Sequence, residues 1–465
     1  MTGAQLHSRY NPQSEAARYV NSLNLKDGIE CFILIEPGLG YMIPVLREKF
    51  KESKILALHI EKQTESAAQA DYSLADCESF NIQKFLETHI TQDSERIKII
   101  EWRPSLNHYG KAYAKILSEA VQFIKRADAG KRTAAAFGRR WVKNFFKNLN
   151  NINTSLLYRQ SSIPVIVTGS GPSLEKALPI IKDTQETCLI IAASSSFLAL
   201  RAAGIKADIV IAADGGNWAL KHLYPFCRSA GSILAVNLCA ALPSQTALIP
   251  HLLINDGSFW QSVVLRDLSL PSVIIGQKGT VTAAAVELAL ILSSANIYLA
   301  GMDLAVIDIR THARPYSFDT LFFNNSNRVM PFYSQCYTRS SLINQGGSLD
   351  IYASWFKSQK TQWPQRIFSI GENSIFEEDL YMRDVLLNHS KQDKNNYFKP
   401  EDRRGESDNF RKRGVSALLS AIKDSKYSKN IKQELSSLLF PGENKMTEHD
   451  LENAVKQLAG NNFYE

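Results

Sequence analysis

Short apolar runs alternate with amphipathic segments through the middle of the chain, about residues 161–376. Helical periodicity lies between several of the runs, at Leu174–Ile181, Ser195–Ala203 and Val281–Ser293. Eight of the apolar runs have the length and the β-branched content of buried strands. These predicted strands are Val165–Thr168, Leu189–Ala193, Ile209–Ala213, Ser232–Val236, Leu252–Ile254, Ser272–Ile275, Ile297–Ala300 and Arg366–Ile370. This alternation predicts an α/β fold whose central domain is a doubly wound, Rossmann-like sheet covered by helices.

The N-terminal region, residues 1–104, predicts a second and smaller α/β domain. A glycine turn at 36–40 follows its first strand and Glu61 ends its second, which is typical of nucleotide-binding folds. The glycines are fewer than in the full fingerprint, so a structural unit without a cofactor is favoured over a working S-adenosylmethionine site. The predicted strands are Cys31–Ile35, Ile55–Ile60 and Ile97–Trp102.

Two helical regions complete the predicted organisation. Residues 105–160 predict a helical linker that ends in a polar stretch, and its basic and aromatic part, residues 131–147, predicts one buried aromatic face. Residues 377–465 predict a helical C-terminal domain. It contains a charge-dense segment at 391–413 that includes a mobile loop. It also contains amphipathic helices at 415–439 and 448–458.

Composition narrows the class of protein. A chain of 465 residues with 45% hydrophobic and 21% charged residues is expected to form about three globular domains. The net charge of +7 favours anionic ligands slightly and does not require nucleic acid. Six scattered cysteines without a CxxC pair argue against a zinc site and a disulfide scaffold. We find neither a signal-peptide pattern nor a membrane-spanning run, and so expect a cytoplasmic protein.

The most specific chemical signal is the segment GSGPSL at residues 169–174. It follows a predicted strand and opens a predicted helix, with Pro172 in the first turn, where the missing N–H costs nothing. Glycines allow a phosphate to approach the backbone, and a helix N-terminus presents unpaired N–H groups. The segment therefore predicts a phosphate or nucleotide site, although a purely structural turn remains an alternative.

Polar residues also follow the other predicted strands of the central domain. Because parallel strands end at one edge of their sheet, these residues are expected to converge there. Small hydroxyls, two carboxylates and a His–Arg pair suit a ribose, a base and a phosphate. The converging residues are Ser195, Asp214, Asp303, His312, Arg314, Asn373 and Ser374.

Several motifs together resemble a known family. The segments GSGPSL (169–174), IVIAADG (209–215), GTVTAAAVELAL (279–290), IYLAGMDL (297–304) and IFSIGENS (367–374) occur in this order. They resemble the motility-associated factor (Maf) family of flagellin glycosyltransferases, whose central domain is similar to bacterial sialyltransferases. The resemblance implies transfer of a nonulosonic acid, of pseudaminic or legionaminic type, from its CMP-activated form to Ser/Thr of flagellin. It implies no cofactor beyond this nucleotide-sugar donor.

Position by position, the resemblance also implies which residues bind the nucleotide: Gly169, Ser170, Gly171, Ser173, Ser195, Asp214, Thr280, Asn373 and Ser374. The chemistry of the residues themselves leads us to expect three further roles. Asp303 would orient the sugar or acceptor, Arg314 would support phosphate, and His312 would act as base or phosphate donor.

Departures from the sialyltransferase pattern leave the acceptor base open. Ser170 stands where those enzymes usually have Asn, their paired tyrosines have no match after Asp303, and no histidine follows His312 until His389. No DxD pair appears in the central domain, so we expect metal-independent chemistry. Two other functions stay open: a 6-hydroxymethylpterin diphosphokinase using ATP and magnesium, and a catalytically silent flagellin-binding scaffold.

Overall fold

A computed structural model gives the fold of the chain. The chain divides into two compact units, Met1–Thr133 and Ala134–Glu465. The helices in the described residues are all too short or too polar to cross a membrane. The described residues are 5–61, 69–75, 79–90, 96–229, 231–277, 279–345, 348–360, 363–371, 375–379, 382–391, 393–424, 426–443 and 446–460.

The N-terminal unit is a parallel sheet of four strands in the order β3-β2-β1-β4. Its strands are β1 (Cys31–Ile35), β2 (Lys54–Leu58), β3 (Tyr72–Leu74) and β4 (Ile97–Glu101). Its helices are α1 (Pro12–Ser22), α2 (Met42–Lys49), α3 (Ser79–His89) and α4 (Arg103–Tyr109). Every residue of β1 is buried, and alternate side chains enter the cores on the two faces of the sheet. The three predicted strands are confirmed; β3 was not predicted because it is short and polar.

The glycine turn after β1 is covered by the chain itself. His7 Nε2 accepts a hydrogen bond from Leu39 N at 2.9 Å, and a Cβ on Gly38 would collide with the His7 ring. The buried Glu36 carboxylate accepts a hydrogen bond from Ile60 N at the end of β2. The interpretation of this domain as a structural unit without a cofactor stays a prediction.

One long helix, α5 (Lys111–Leu149), follows, and the division between the units falls within it. Phe145 and Phe146 near its end are fully buried, whereas Phe137 is exposed. The prediction that the polar stretch forms a linker is wrong in part, because helix α5 continues through Asn148. The buried Asn148 amide donates to the carbonyls of Leu238 and Ala240, both at 2.8 Å, and so ties the helix to a loop of the second unit.

The second unit contains a ten-stranded sheet in the order β13-β12-β6-β7-β8-β9-β10-β5-β14, with β11 paired to β10. All pairs are parallel except β5–β14. The strands are β5 (Thr154–Tyr158), β6 (Val165–Thr168), β7 (Leu189–Ala193), β8 (Ile209–Ala212), β9 (Ile233–Asn237), β10 (His251–Asn255), β11 (Ser272–Ile274), β12 (Ile297–Ala300), β13 (Ile367–Ser369) and β14 (Phe398–Asp402). The α/β fold with a central doubly wound sheet is confirmed.

Helices cover both faces of this sheet and bury two hydrophobic cores. One face carries α10, and the other carries α9 together with the C-terminal helices, which share its core. The helices are α6 (Leu174–Thr184), α7 (Phe197–Ala202), α8 (Leu220–Phe226), α9 (Phe259–Asp267), α10 (Val281–Leu292), α11 (Asp319–Asn324), α12 (Phe332–Gln345), α13 (Ser348–Lys360), α14 (Met382–Leu387), α15 (Ser407–Lys423), α16 (Ser428–Leu439) and α17 (Glu448–Ala459). The predicted C-terminal helical domain thus lies in the same compact unit as the sheet.

The charge-dense segment 391–413 contains more regular structure than was predicted for it. This segment contains β14, which pairs with β5 at the edge of the sheet, and the start of α15. An edge strand tolerates charged residues because one side of it faces solvent. Arg403 anchors the segment, donating to the Ser155 hydroxyl at 3.2 Å and to the Glu401 carboxylate at 2.5 Å.

An ion pair at the opposite end of the strands from the glycine turn supports a testable prediction. Lys394 Nζ donates to Asp208 Oδ2 at 2.8 Å, and the two side chains are 19% and 16% exposed. Burial raises the pKa of Asp208, and the charge of Lys394 opposes that shift. Replacing Lys394 leaves a largely buried carboxylate without its cation, so we expect Lys394→Met to lower the free energy of unfolding by about 2 kcal/mol. Urea denaturation measures this, with exposed Lys391→Met as the control; equal stability of both variants would contradict the prediction.

Candidate active site

The strand order creates a topological switch point between β6 and β12. From β6 the chain proceeds through β7, β8, β9 and β10 on one side, whereas β12 and β13 lie on the other. In open α/β sheets the crevice at the carboxyl ends of such strands is where ligands bind. The turns at this point are residues 169–171 after β6 and residues 301–303 after β12.

The two turns interlock through their backbones. Gly169 N donates to Ala300 O, and Gly171 N donates to Gly301 O, each at 2.8 Å. Gly301 has a φ of +65°, and a Cβ added to it would lie 2.6 Å from the Gly169 carbonyl oxygen. A Cβ on Gly171 would overlap the Asp303 carboxylate. Glycine is therefore needed here for close packing of the two turns, in addition to any ligand.

The Asp303 carboxylate lies at the N-terminus of α6. Its Oδ2 accepts a hydrogen bond from Ser173 N at 3.0 Å, so the carboxylate takes the place where a phosphate was predicted to bind the helix. In the first turn of α6, Glu175 accepts from Arg310 Nη1 and from Arg314 N, both at 2.9 Å. The phosphate-binding role of the 169–173 segment stays a prediction, and a phosphate here would lie beside carboxylates.

Hydroxyl groups connect the ends of β6 and β7. Ser195 Oγ donates to Ser170 Oγ at 2.9 Å, so two predicted site residues are in direct contact. The Ser170 carbonyl accepts from Ala313 N at 2.8 Å. This bond holds the loop that contains His312 against the glycine turn.

Asp214, after β8, is exposed at the same edge of the sheet. Its Oδ1 accepts from Gly216 N at 2.7 Å. Trp141 of α5 lies so close to Gly215 that a Cβ there would collide with its indole ring. Burial, and to a smaller extent the charge of Asp214, raise the pKa of Tyr352 on α13. Trp141 and Tyr352 thus line the rim near Asp214, and the sequence did not point to either.

The remaining predicted nucleotide-binding residues are only partly described. Thr280 caps α10: its hydroxyl accepts from Ala283 N at 3.0 Å. A donor-facing role for Thr280 stays a prediction, because this cap explains the residue by itself. The predicted contacts of Asn373 and Ser374 lie outside the described residues.

His312 lies in an aromatic environment beside the glycine turn. Its ring stacks on Tyr316 at a centroid distance of 4.1 Å, and its Nδ1 is 2.8 Å from the Thr311 hydroxyl. Burial, with smaller contributions from the charges of Arg339 and His222, lowers the pKa of His312 to about 3. The imidazole is therefore neutral at pH 7 and is a weak base. Its lowered pKa favours hydrogen-bond donation over proton abstraction. When Nδ1 accepts from Thr311, Nε2 carries the hydrogen.

Arg314 is exposed and occupied by other contacts. Its guanidinium lies 4.9 Å from the centre of the Phe332 ring, and Nη2 is 3.6 Å from Cys336 Sγ. Its predicted support of a phosphate stays a prediction. Two cationic or basic groups that the sequence did not indicate, Arg339 on α12 and His222 on α8, lie on the Tyr316 ring instead.

The residue types at this edge do not gather into a metal site within the described part of the chain. No group of three or more His, Cys, Asp or Glu side chains there is arranged to hold a metal ion. Asp303 is engaged with α6, and Asp214 with its own turn.

Comparison with known protein families finds a match for the central region. A family model described as 6-hydroxymethylpterin diphosphokinase MptE-like matches residues 139–308, which include the glycine turn and β12. The predicted resemblance of the central domain to pterin diphosphokinase-like domains is therefore confirmed. Together with the sequence motifs, this match supports the predicted relationship to the Maf family.

Two individual proteins are similar over much of the chain. A protein of Treponema pallidum (strain Nichols), described as uncharacterized, is 27% identical over 322 residues, which is 69% of each chain. The solved structure of the Maf glycosyltransferase from Magnetospirillum magneticum AMB-1 aligns with a TM-score of 0.48 and 14% identity. That alignment covers 96% of this chain and 76% of the other.

Proposed function

We propose that this protein is a glycosyltransferase that moves a nonulosonic acid from its CMP-activated form to a Ser or Thr hydroxyl of flagellin. The observation that carries the proposal is the hydrogen bond from Ala313 N to Ser170 O. It holds the His312 loop next to the Ser170–Ser195 hydroxyl pair, at the switch point of the sheet. The reaction class and acceptor follow from the resemblance of the motifs to the Maf family.

The proposed chemistry needs a nucleotide pocket and a means of stabilising the departing phosphate. Small hydroxyl side chains and the Asp214 carboxylate lie at the sheet edge. They are suitable hydrogen-bond partners for the hydroxyl groups of a ribose and the amino group of a base. As CMP departs, negative charge develops on its phosphate, and fixed donors or cations lower the barrier to that step. In the tautomer that carries its hydrogen on Nε2, His312 would be one donor of this kind.

The direct test is transfer to flagellin. The full-length protein is incubated with flagellin and with CMP-activated sialic, legionaminic or pseudaminic acid, in the presence of a metal chelator. Intact mass spectrometry is expected to detect flagellin carrying the added acid. CMP binding without any transfer would instead favour the catalytically silent flagellin-binding scaffold.

Substitution of His312 tests its part in the reaction. We expect His312→Ala to reduce the transfer rate by about 100-fold, because the leaving phosphate loses a positioned hydrogen-bond donor. His389→Ala is the matched control, since His389 is not among the site residues. Mass spectrometry of flagellin over a time course measures both rates, and an unchanged rate for His312→Ala would remove His312 from the mechanism.

A second candidate function is favoured by one specific finding, the match of residues 139–308 to the pterin diphosphokinase-like family model. A thermal-shift comparison of CMP, ATP with magnesium, and S-adenosylmethionine separates the candidates. A ligand at 100 times its Kd adds about 2.7 kcal/mol, which raises Tm by roughly 2–4 °C. Under the proposed function CMP stabilises without metal, and Asp214→Ala removes the shift. A shift with ATP and magnesium alone would favour the pterin kinase.

A further inference from the structure

One arginine and two histidines pack against aromatic rings beside the glycine turn. We call this group the Arg339 cluster. Three separate segments of the second unit supply it: α8, the loop between β12 and α11, and α12. Its members are Arg339, His222, His312, Tyr316 and Phe318.

The aromatic rings fix the guanidinium of Arg339. Its centre lies 5.6 Å from the centroid of Tyr316 and 5.5 Å from that of Phe318, and Nη2 donates to the Tyr316 hydroxyl at 3.2 Å. The His222 ring lies 5.5 Å from Tyr316 and 5.3 Å from Phe318. A cation held by rings keeps its charge in place without a neutralising carboxylate.

The Arg339 guanidinium forms no ion pair with a carboxylate of the described residues. The nearby Asp319 carboxylate accepts a hydrogen bond from Tyr316 N at 2.9 Å. Two buried nitrogen atoms of the cluster, Arg339 Nε and His222 Nδ1, have no hydrogen-bond partner in the described part of the chain. Buried polar atoms without partners are costly, so a ligand that supplies acceptors would be stabilised here.

The charge of Arg339 also acts on the two imidazoles. Burial first, and then the charge of Arg339, lower the pKa of His222 to about 4. The same two causes, with the charge of His222 third, lower the pKa of His312 to about 3. A bound anion would offset the charge of Arg339, which now disfavours protonation of both rings.

The opposite situation holds at the N-terminus of α6, the other candidate place for an anion. There the Asp303 carboxylate already accepts from Ser173 N, and Glu175 lies in the first helical turn. An incoming anion would meet like charge at α6 and, at the Arg339 cluster, a guanidinium that forms no ion pair among the described residues. The cluster is the more favourable of the two places.

We propose that Arg339, His222 and His312 form an oxyanion subsite that binds a phosphate or carboxylate group of the substrate. Its assignment to the donor rests on the proposed function, because a CMP-activated acidic sugar carries both groups. The binding of an oxyanion itself does not rest on that function. Arg339 would supply the charge and Nε–H, and the imidazoles would add N–H donors.

Calorimetric titration of the full-length protein with paired ligands tests the subsite. The probes are inorganic phosphate, CMP against cytidine, and N-acetylneuraminic acid against its methyl ester. The wild-type protein is expected to bind phosphate, and to bind the charged member of at least one pair at least tenfold more tightly than the neutral member. Arg339→Gln should remove that preference. If Arg339→Gln loses the preference for CMP over cytidine, the subsite binds phosphate. If it loses the preference for N-acetylneuraminic acid over its methyl ester, the subsite binds carboxylate.

Controls keep folding and function apart from the subsite. Exposed Arg328→Gln removes an equal charge and should leave all affinities unchanged, and Arg339→Lys should retain part of the preference. If Arg339→Gln does not fold, the same titrations are made with His222→Gln, and loss of the charge preference has the same meaning. Unchanged preference in a folded variant, or no charge preference in the wild type, would overturn the proposal. Arg339-dependent phosphate binding without CMP binding or transfer would retain the subsite and reject the proposed function.

Discussion

Replacing Gly301 with alanine is expected to lower the free energy of unfolding of the second unit by about 4 kcal/mol. Two costs combine: a left-handed φ of +65° disfavours any residue with a Cβ, by about 1–2 kcal/mol, and overpacking adds about 1–3 kcal/mol. The new Cβ would lie 2.6 Å from the Gly169 carbonyl oxygen and 2.8 Å from Leu174 Cβ. Backbone and helix α6 would have to move, so CMP-dependent thermal stabilisation should also disappear.

Gly405→Ala provides a matched control for this prediction. Gly405 has a φ of +86°, yet nothing lies within 4 Å of the position its Cβ would take. The Gly405→Ala variant therefore bears the backbone cost alone, about 1–2 kcal/mol. Urea denaturation of both variants separates conformational strain from crowding. If the two lost equal stability, the interlocking of the two turns would not be a source of stability.

The sheet was largely predictable because its strands are buried on both faces. Such strands appear in the sequence as continuous apolar runs between glycines and polar residues. The predicted bounds of β6, β7 and β12 match the structure. The spatial order of the strands, and with it the switch point, is visible only in the structure. The edge strand β14 was missed because Pro400 and its charged neighbours are typical of loops, whereas an edge strand needs only one paired side.

The candidate site was predictable only where its residues follow strands. Ser170 and Ser195 were expected to meet, and their hydroxyls are in contact. The cap that Asp303 forms on α6 was missed because sequence alone does not say which carboxylate a helix N-terminus will meet. Arg339 was missed for a different reason: it lies on a helix far along the chain from His222 and Tyr316. Their convergence depends on tertiary packing.

The stability of the second unit is expected to fall steeply in acid, and His251 is a clear source. His251 on β10 is fully buried, and neither ring nitrogen has a hydrogen-bond partner among the described residues. Burial lowers its pKa from 6.5 to about 4. The unfolded chain then binds the proton more readily than the folded one. The stability contribution of the neutral ring is therefore complete above pH 6.5 and is lost as the pH falls towards 4.

The size of this loss, about 3 kcal/mol between pH 7 and 4, follows from 1.36 kcal/mol per unit of pKa. His222 and His312 add in the same direction, since the pKa of each is also lowered, to about 4 and about 3. His251→Leu, which cannot be protonated and has a similar volume, should reduce the difference in stability between pH 7.5 and 4.5 by about 2.5 kcal/mol. Carboxylates titrate alike in both proteins and cancel in this comparison. Urea denaturation at the two pH values measures it, with exposed His449→Leu as the control. An unchanged pH dependence in His251→Leu would mean that the buried ring is not what acid destabilises.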